Sequence, residues 1–262
     1  MPFKNHNSLR LLTFDIFPAC VVHAIFTRLG GLSPAPWNSL NVGGTVGDTV
    51  TRVRENRYLS FSALGRERSS LFDVWQVHSP DIVIANAPHP QSESRSELKA
   101  DGIITDNPNV TLFMRFADCT PVMLYDKRKK VIGLVHAGWQ GTVKQIAGQA
   151  VKTMQAVYGS QPGDIVAAIG PSIGPDHYEV GSNVLEQIMY SFGGDADRMI
   201  RNRDGKTYFN LWEANKFTLE KCGVAEVEVS NICTACHPED WYSHREQKGA
   251  TGRFGVIIAL SE

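Results

Sequence analysis

Three residues at predicted strand ends have side chains that could hold one metal ion: His78 in WQVHSPD, Cys119 in FADCTPV and His136 in LVHAGWQG. Zinc accepts a set of two imidazoles and one thiolate, and three protein ligands leave a coordination position for water or substrate. Because the sequence gaps between the three are long, they can meet only if the fold brings them together. Without a metal, the same residues could form a thiolate activated by an imidazole. Either arrangement predicts an enzyme.

Two aspartates are candidates for supporting roles beside these residues. Asp118 directly precedes Cys119, and Asp101 lies in the segment KADGIITD. A carboxylate there could orient a metal ligand or transfer a proton, and each could equally be an ordinary turn residue. A plain alternative for the trio is open as well, because free cysteines are commonly buried core residues. In that interpretation Cys119 is a core thiol and both histidines are hydrogen-bonded polar residues.

The segment HAGWQGTVKQI predicts a strand, a turn containing Gly138 and Gly141, and the start of a helix. Free backbone N–H groups and the positive end of a helix suit such a turn to phosphate or an oxyanion. It is not a P-loop, because the Walker spacing is absent. Arginine side chains can clamp phosphate through two hydrogen bonds. Further candidates for anion binding are Arg28, Arg57, Arg245 and Arg253, with the loop residues Asn41 and Asp48.

The segment CTACH (233–237) fits the C-x-x-C-H pattern of covalent haem attachment. Haem attachment of that kind requires export, and Asp15 and Pro18 interrupt the N-terminal apolar run, which disfavours a signal peptide. A redox pair and a second metal site are further interpretations. We expect a pair of thiols near a strand end, and the sequence leaves its role open.

Composition excludes several classes of partner. The chain has 262 residues, a net charge of −1 at pH 7 and no basic stripe, so we expect no nucleic acid and no anionic membrane as partner. No apolar stretch approaches the roughly 18 residues that span a bilayer. Five cysteines are an odd number in a chain large enough to fold without disulfides, which is typical of a reducing compartment. We therefore expect a cytoplasmic protein.

Hydrophobic patterns predict both strands and helices. The segments TLFMRFA, PVMLYD and VIGLVHA predict a β-meander. From Gly141 onward, apolar residues recur at helical spacing as far as Tyr158, which predicts one helix. Two more helices are predicted over 182–192 and 211–222, the second beginning at Asn210 with a glutamate three residues later, as in a capping box.

The intervening segments complete the predicted architecture. Residues 28–48 are rich in glycine, proline, serine and asparagine and predict a long functional loop, and residues 87–99 predict an exposed connection. Mixed strands with helices outside them favour an α+β layered sandwich with mixed sheets. We expect residues 1–262 to form one domain.

Taken together, these segments resemble the laccase-domain family, whose members are also called multicopper polyphenol oxidoreductases, YfiH-type proteins or peptidoglycan editing factors. The resemblance covers nearly the whole chain, from about residue 23 to residue 260, with the motifs in the family's order. The motifs are FTRLGGLS, NSLNVGGTVGD, ENR, WQVHSPDIV, KADGIITD, RFADCTPVML, GLVHAGWQGT, IGPSIGPDHYEVG and CTACHPEDWYSHREQKGATGRFG.

The resemblance implies a zinc-dependent purine nucleoside phosphorylase acting on adenosine, inosine, guanosine and methylthioadenosine, with adenosine deaminase activity. The family's zinc ligands fall on His78, Cys119 and His136, and its fold is a layered α/β/β/α sandwich. The implied partners are purine nucleosides and phosphate, and we expect a monomer or homodimer. Candidate catalytic residues are Cys119, His136, His78 and Asp118, and candidate substrate or phosphate residues are Arg57, Asn41, Gly138, Gly141 and Arg28.

The chain departs from the family pattern at a few positions. Asp176 and His177 stand where the family often has cysteines, and Glu246 stands where a second arginine commonly follows Arg245. These changes could alter substrate preference or contacts between subunits. They do not touch the three predicted zinc ligands.

Rival functions follow from the same residues. A metal-free hydrolase or amidase acting on peptidoglycan precursors would use Cys119 as nucleophile and His136 as its base. A regulatory metal-binding module would need a fourth protein ligand. A polyphenol oxidase with Cu²⁺ is disfavoured, because a multicopper site needs on the order of ten histidines. This chain has eight, none of them in a His-x-His pair.

Overall fold

The computed structural model describes residues 1–89, 97–224 and 226–261, and these form fifteen β-strands and five α-helices. Residues 90–96 of the predicted connection lie outside the described residues. The strands are β1 (Phe3–His6), β2 (Leu9–Leu12), β3 (Val21–Phe26), β4 (Leu71–Phe72), β5 (Ile82–Ile84), β6 (Gly102–Thr105), β7 (Thr111–Phe116), β8 (Thr120–Asp126), β9 (Val131–Ala137), β10 (Ile165–Ile169), β11 (Glu179–Val180), β12 (Ile200–Arg203), β13 (Lys206–Phe209), β14 (Glu226–Val229) and β15 (Phe254–Leu260). The α-helices are α1 (Val50–Ser62), α2 (Trp139–Val143), α3 (Ile146–Tyr158), α4 (Ser182–Phe192) and α5 (Leu211–Lys221).

Most of these strands form two six-stranded mixed sheets. The first has the order β1-β2-β3-β15-β7-β4, the second has the order β14-β10-β8-β9-β6-β5, and β11, β13 and β12 form a small third sheet. The pairs β4–β7, β5–β6 and β10–β14 are parallel, whereas the neighbours at the centre of each large sheet are antiparallel. The chain crosses from the first sheet to the second between β7 and β8.

The two large sheets pack face to face, with helices on both outer faces. The core between the sheets combines side chains of β3, β7 and β15 with those of β8, β9 and β10. Helices α3 and α5 cover the outer face of the second sheet, and α1 covers that of the first. This arrangement is the layered α/β/β/α sandwich with mixed sheets that the sequence and the family resemblance predict. That prediction is confirmed.

The side chains of β9 point alternately to its two faces, and this alternation directs His136 into the space between the sheets. Ile132 and Leu134 belong to the core between the sheets, whereas Val135 and Ala137 pack under α3. Because successive strand residues point to opposite faces, His136 continues the face of Ile132 and Leu134. An imidazole therefore occupies the last inward-facing position of the strand.

The helix predicted after Gly141 differs from the observed one. The chain forms the short α2, breaks at Lys144 and Gln145, and then forms α3. Gln145 has φ 57°, in the left-handed region, so the two helices cannot be continuous. The apolar stripe itself is confirmed for α3, which buries Ile146, Ala147, Ala150, Val151 and Met154. No helix formed by the described residues is both long and apolar enough to cross a bilayer.

One buried side chain of α1 holds the long loop 28–48 in place. The Asn56 side chain accepts a hydrogen bond from the Leu32 amide at 2.9 Å and donates to Ser33 Oγ at 2.9 Å. It also donates to the carbonyl oxygens of Ser39 at 3.2 Å and Asn41 at 2.8 Å. The loop therefore has a fixed conformation although it contains no strand or helix.

We predict that Asn56→Ala lowers the free energy of unfolding by about 2–4 kcal/mol, because it leaves the Leu32 amide and the Asn41 carbonyl of the loop without their partner. Denaturant-induced unfolding followed by circular dichroism measures this change. Glu55→Ala is the matched control, since Glu55 is exposed on the same helix and its loss should cost less than about 0.5 kcal/mol. Equal stability of the two variants would contradict the role given to Asn56.

Candidate metal centre between two cavities

The structure brings the three predicted ligands together. The ligand atoms of His78, Cys119 and His136 all lie within 4.8 Å of one another. The imidazole rings of His78 and His136 have centroids 5.0 Å apart at an angle of 66°. His136 is buried, and the other two residues are half-buried, so the cluster lies at the edge of the core.

Each ligand comes from a different segment at the rim of the sandwich. Cys119 lies in the crossover between β7 and β8, His136 lies at the end of β9, and His78 lies in the segment between β4 and β5. The antiparallel register of β8 and β9 pairs Pro121 with His136, which places Cys119 just beyond that pair. Sheet pairing thus brings together residues that are far apart in the sequence.

One carboxylate organises two of the three ligands. Asp101 Oδ1 lies 2.7 Å from His136 Nδ1. Its other oxygen accepts hydrogen bonds from the amides of Val77 at 3.0 Å and Ser79 at 2.7 Å, on either side of His78. Burial alone would raise the pKa of Asp101, but the hydrogen bond and charge of His136 and the two amides outweigh it and lower that pKa. With Nδ1 engaged by the carboxylate, Nε2 is the His136 atom that faces a ligand.

The charges of Cys119 and His136 support each other. Burial opposes ionisation of the thiol, yet the charge of His136 and hydrogen bonds with both imidazoles lower the pKa of Cys119 to about 6. Burial likewise opposes protonation of His136, but the charge of Cys119 and the hydrogen bond to Asp101 raise its pKa to about 9. The thiolate is the form of cysteine that binds metals and attacks electrophiles.

A glycine permits this close approach. A Cβ atom at Gly138 would lie 2.5 Å from His78 Nδ1 and 2.9 Å from Cys119 Sγ, which are distances that atoms do not tolerate. Gly138 is also the N-cap of α2, so this helix starts directly against the cluster. Two imidazoles, one thiolate and a carboxylate behind His136 form a donor set that fits zinc, and the glycine leaves room for its ligands.

Asp118 holds the segments that surround Cys119. Its Oδ1 accepts a hydrogen bond from Thr234 Oγ1 at 2.7 Å, and its Oδ2 accepts one from the Arg245 amide at 2.7 Å. Its carbonyl oxygen accepts one from the Ile173 amide at 3.0 Å. The residue has φ 78°, a left-handed conformation that costs a non-glycine residue of order 1–3 kcal/mol and recurs at functional sites. Both carboxylate oxygens are therefore engaged by protein donors.

Two cavities meet at the cluster. The polar cavity, of about 220 Å³, is lined by Gly43, Gly44, Thr45, Trp75, Gln76, His78, Arg115, His136 and Arg253. The aromatic cavity, of about 270 Å³, is lined by His78, Arg115, Ala117, Asp118, Cys119, His136, Trp139, Ile173, Tyr178, Leu211, His244, Arg245 and Arg253. Because they share both imidazoles and two arginines, the candidate metal centre lies between them.

Three predicted phosphate-binding residues support the backbone instead of lining these cavities. Arg57 is buried, donates to the Val42 carbonyl at 3.0 Å and has a pKa that burial and the charge of Arg115 lower to about 9. Arg28 donates to the carbonyls of Asn38 and Pro238. The Arg28 guanidinium also lies over the Tyr242 ring, 4.6 Å from its centroid. Neither arginine lines either cavity, and phosphate binding by both stays a prediction.

Asn41, the third of these residues, ties two parts of the polar cavity together. Its side-chain oxygen accepts hydrogen bonds from the amides of Gly43 and Arg253, both at 2.9 Å. Its amide group donates to Asp48 at 3.0 Å. Its contact with phosphate stays a prediction, as do the catalytic roles of the cluster residues and Asp118. Of the two glycines predicted to bind phosphate, Gly138 borders the cluster and Gly141 is buried against Ile146.

Arg115 is a site residue that the sequence reasoning missed. It lines both cavities and is held by Asp73 at 2.6 Å, by Gln76 at 3.2 Å and by the Val74 carbonyl. The available signal was a charged residue inside the otherwise apolar strand TLFMRFA. The glycine loop 43–45 was part of the predicted functional loop, but sequence alone did not single out these residues.

Known proteins match nearly the whole length of this chain. A sequence model of the family described as multi-copper polyphenol oxidoreductase laccase matches residues 22–261. A protein of Deinococcus radiodurans named purine nucleoside phosphorylase is 37% identical over 240 residues, which cover 92% of this chain and 89% of the relative. The purine nucleoside phosphorylase YlmD of Bacillus subtilis is 36% identical over 250 residues, with 92% and 89% covered.

Solved structures agree with the sequence comparisons. The crystal structure of the hypothetical protein YfiH of Bacillus licheniformis superposes with a TM-score of 0.92 at 33% identity and covers 99% of both chains. That of YlmD from Geobacillus stearothermophilus gives a TM-score of 0.92 at 32% identity, again covering 99% of both chains.

We predict that Gly138→Ala weakens metal binding by about 10- to 100-fold, the range typical of changes beside metal ligands, because the new methyl group displaces His78 and Cys119. Competition with a chromophoric chelator measures the affinity. The fold should be retained, since the backbone of Gly138 has φ −71°, which alanine adopts readily. Gly163→Ala is the matched control, because a Cβ there meets nothing within 4 Å. Wild-type affinity in Gly138→Ala would contradict the close approach described above.

Proposed function

The chain belongs to the multi-copper polyphenol oxidoreductase laccase family, and from that membership we propose that it is a metal-dependent purine nucleoside phosphorylase. Relatives at 30–37% identity carry the name purine nucleoside phosphorylase. The observation that carries the proposal is the position of the His78–Cys119–His136 cluster between a polar and an aromatic cavity. Phosphorolysis needs one such compartment for phosphate and another for the nucleoside.

The polar cavity suits phosphate because two arginines reach it. Arg253 is half-buried, and this burial lowers its pKa; its Nη1 donates to the carbonyls of Thr251 and Gly252. Among the described residues, no carboxylate forms an ion pair with it. Removing even part of a guanidinium from water without a carboxylate partner is costly, and a phosphate dianion beside it would offset that cost. Arg115 adds a second positive charge whose position Asp73 and Gln76 fix.

The aromatic cavity suits a purine base. Trp139 and Tyr178 provide ring surfaces, and Ile173 and Leu211 provide apolar walls. A purine is a flat aromatic ring that can stack on such side chains, and each stacked base contributes about 1–3 kcal/mol to the binding free energy. A nucleoside bound there would have its ribose near the cluster, where the two cavities meet.

In this reaction a phosphate oxygen forms a bond to the ribose C1′ while the C1′–N9 bond breaks. The products are ribose 1-phosphate and the free base, which takes up a proton. The arginines would hold the phosphate in line with C1′, and the ring surfaces would fix the base. Positioning two reactants in this way converts a bimolecular reaction into an effectively unimolecular one.

We propose zinc as the metal, held by His78, Cys119 and His136. When bound, zinc supplies a Lewis acid that polarises an oxygen of a reactant. The donor set favours zinc over the copper of the family's descriptive name. Among the described residues, the groups able to hold a metal contain only three histidines in total, far fewer than a multicopper oxidase requires.

The proposed substrates are adenosine, inosine, guanosine and methylthioadenosine, with phosphate as the second reactant. Adenosine deamination is a second proposed activity at the same site, because three protein ligands leave room for water, the co-reactant of that hydrolysis. The two activities differ in one measurable respect. Phosphorolysis requires phosphate, whereas deamination proceeds without it.

We predict that Cys119→Ala loses one equivalent of zinc per chain and lowers inosine phosphorolysis by at least about 100-fold, because the cluster then lacks its thiolate. Elemental analysis and a phosphate-dependent assay of hypoxanthine release measure both effects. Circular dichroism checks that the fold is retained. Cys222→Ala is the matched control, since Cys222 lies on the far side of the second sheet, against α3.

Chelation separates this proposal from a metal-free Cys119–His136 hydrolase, which the lowered thiol pKa also favours. Dialysis against a chelator should abolish phosphorolysis, and added zinc should restore it. Full phosphate-dependent activity in zinc-free protein, or covalent trapping of Cys119 by an amide substrate, would contradict the phosphorylase proposal.

We predict that Arg253→Gln raises the KM for phosphate by about tenfold to 100-fold, as expected for the loss of charge-assisted hydrogen bonds worth about 1.5–3 kcal/mol. Steady-state kinetics with phosphate as the varied reactant measure this effect. The KM for inosine should change much less. Arg128→Gln is the matched control, because Arg128 is exposed in the β8–β9 turn and pairs with Asp164. An unchanged phosphate KM in Arg253→Gln would contradict the assignment of the polar cavity.

A further inference from the structure

A second group of metal-binding side chains lies apart from the one already described. The ligand atoms of His177, Cys233 and Cys236 all lie within 4.8 Å of one another. His177 Nδ1 is 3.7 Å from Cys233 Sγ and 3.5 Å from Cys236 Sγ. Cys233 is buried, whereas His177 and Cys236 are exposed, so the cluster opens to solvent on one side.

We propose that His177, Cys233 and Cys236 bind a second zinc ion, which ties together two loops behind the aromatic cavity. Two thiolates and one imidazole are soft and borderline donors of the kind that zinc prefers. The Cys-x-x-Cys spacing presents both sulfurs from one turn, as in many zinc sites. The fourth position would be open to water, because one side of the cluster is exposed.

The backbone around Cys233 is shaped to receive its sulfur. The Gly174 amide donates a hydrogen bond to Cys233 Sγ at 3.2 Å. Such N–H groups stabilise a thiolate. A Cβ at Gly174 would lie 3.0 Å from Cys233 Cβ and 3.2 Å from its Sγ, so a side chain there would crowd the sulfur. A parallel bridge between Ser172 and Cys233 fixes the two loops side by side.

This arrangement changes the interpretation of the CTACH segment. His237, the histidine of the C-x-x-C-H pattern, lies 3.1 Å from Glu239 and is outside the cluster. The imidazole that joins the two thiols is that of His177, from a loop some sixty residues earlier. The geometry therefore favours a metal site over haem attachment.

The proposed zinc site is linked to the walls of the aromatic cavity. His177 directly precedes Tyr178, which lines that cavity. Cys233 directly precedes Thr234, whose hydroxyl donates to Asp118 beside Cys119. A metal ion that joins the two loops would therefore hold Tyr178 and Asp118 in fixed relative positions. The proposed role is structural, and it does not depend on which reaction the first cluster catalyses.

The test uses the full chain, stripped of metal by a chelator and kept reduced under argon. Zinc is then added, thiols are alkylated with iodoacetamide, and the modified cysteines are identified by peptide mass mapping. We expect zinc to slow alkylation of Cys233 and Cys236 by at least about tenfold, because metal-bound thiolates are shielded. Alkylation of Cys222, which belongs to neither cluster, should not change.

Zinc content provides an independent measurement. Wild-type protein should bind two equivalents per chain, and the double variant Cys233→Ser/Cys236→Ser should bind one. His177→Ala should weaken binding of the second equivalent only, and Cys222→Ser should retain both. Because the remaining site in the double variant is the first cluster, Cys119→Ala in that background should remove the last equivalent.

Several outcomes would overturn the proposal. One equivalent in both wild type and the double variant would show that the second cluster binds no zinc. Equal alkylation of Cys236 with and without zinc would also show that the second cluster binds no zinc. This measurement uses the wild-type chain, so it holds even if the double variant fails to fold. A Cys233–Cys236 disulfide that forms in place of zinc binding would identify a redox pair instead.

Discussion

The Asp101 carboxylate is the constraint on which the proposed metal centre depends. One of its oxygens fixes the His136 ring, and the other holds the amides on both sides of His78. A single buried charge thus positions two ligands from different segments. Its own position is secured by the sheet, because the His136 amide donates to the Asp101 carbonyl at 2.7 Å. Backbone pairing, carboxylate and imidazoles therefore form one connected unit.

The sandwich explains why the site lies at its rim. Cys119 occupies the crossover from one sheet to the other, and His136 takes the last inward-facing position of β9. Phe116 of the first sheet contacts His136 of the second, with ring centroids 5.3 Å apart. The apolar core lies on one side of the cluster, and two cavities open on the other. The charge of Arg253 is tolerated at this boundary because the nearby charges of Cys119 and Asp118 favour its protonated form.

Local sequence patterns predicted the elements better than the contacts between them. The helix start predicted at Asn210 is confirmed, since its side chain accepts a hydrogen bond from the Glu213 amide at 3.1 Å. The reciprocal half of a capping box does not form, because the Asn210 amide donates to the Met199 carbonyl instead. The break at Gln145 was missed, because a left-handed glutamine has no sequence signal. Arg57 supports the loop backbone and lines neither cavity, so phosphate binding by it stays a prediction, whereas Arg115 lines both cavities. The type of a residue shows which chemistry its side chain can perform. Which partners the side chain contacts is determined by the packing of segments that are distant in the sequence. His177 illustrates this most clearly, because its two thiol neighbours come from a distant loop.

The most direct test is anomalous diffraction at the zinc edge, on crystals of zinc-loaded protein that phosphorolyses inosine in solution. We predict a peak about 2.0–2.3 Å from Cys119 Sγ, His136 Nε2 and a His78 nitrogen, between the two cavities. If active protein showed no peak at this position, with Cys119 and His136 bonded only to each other, the metal centre proposed here would be contradicted.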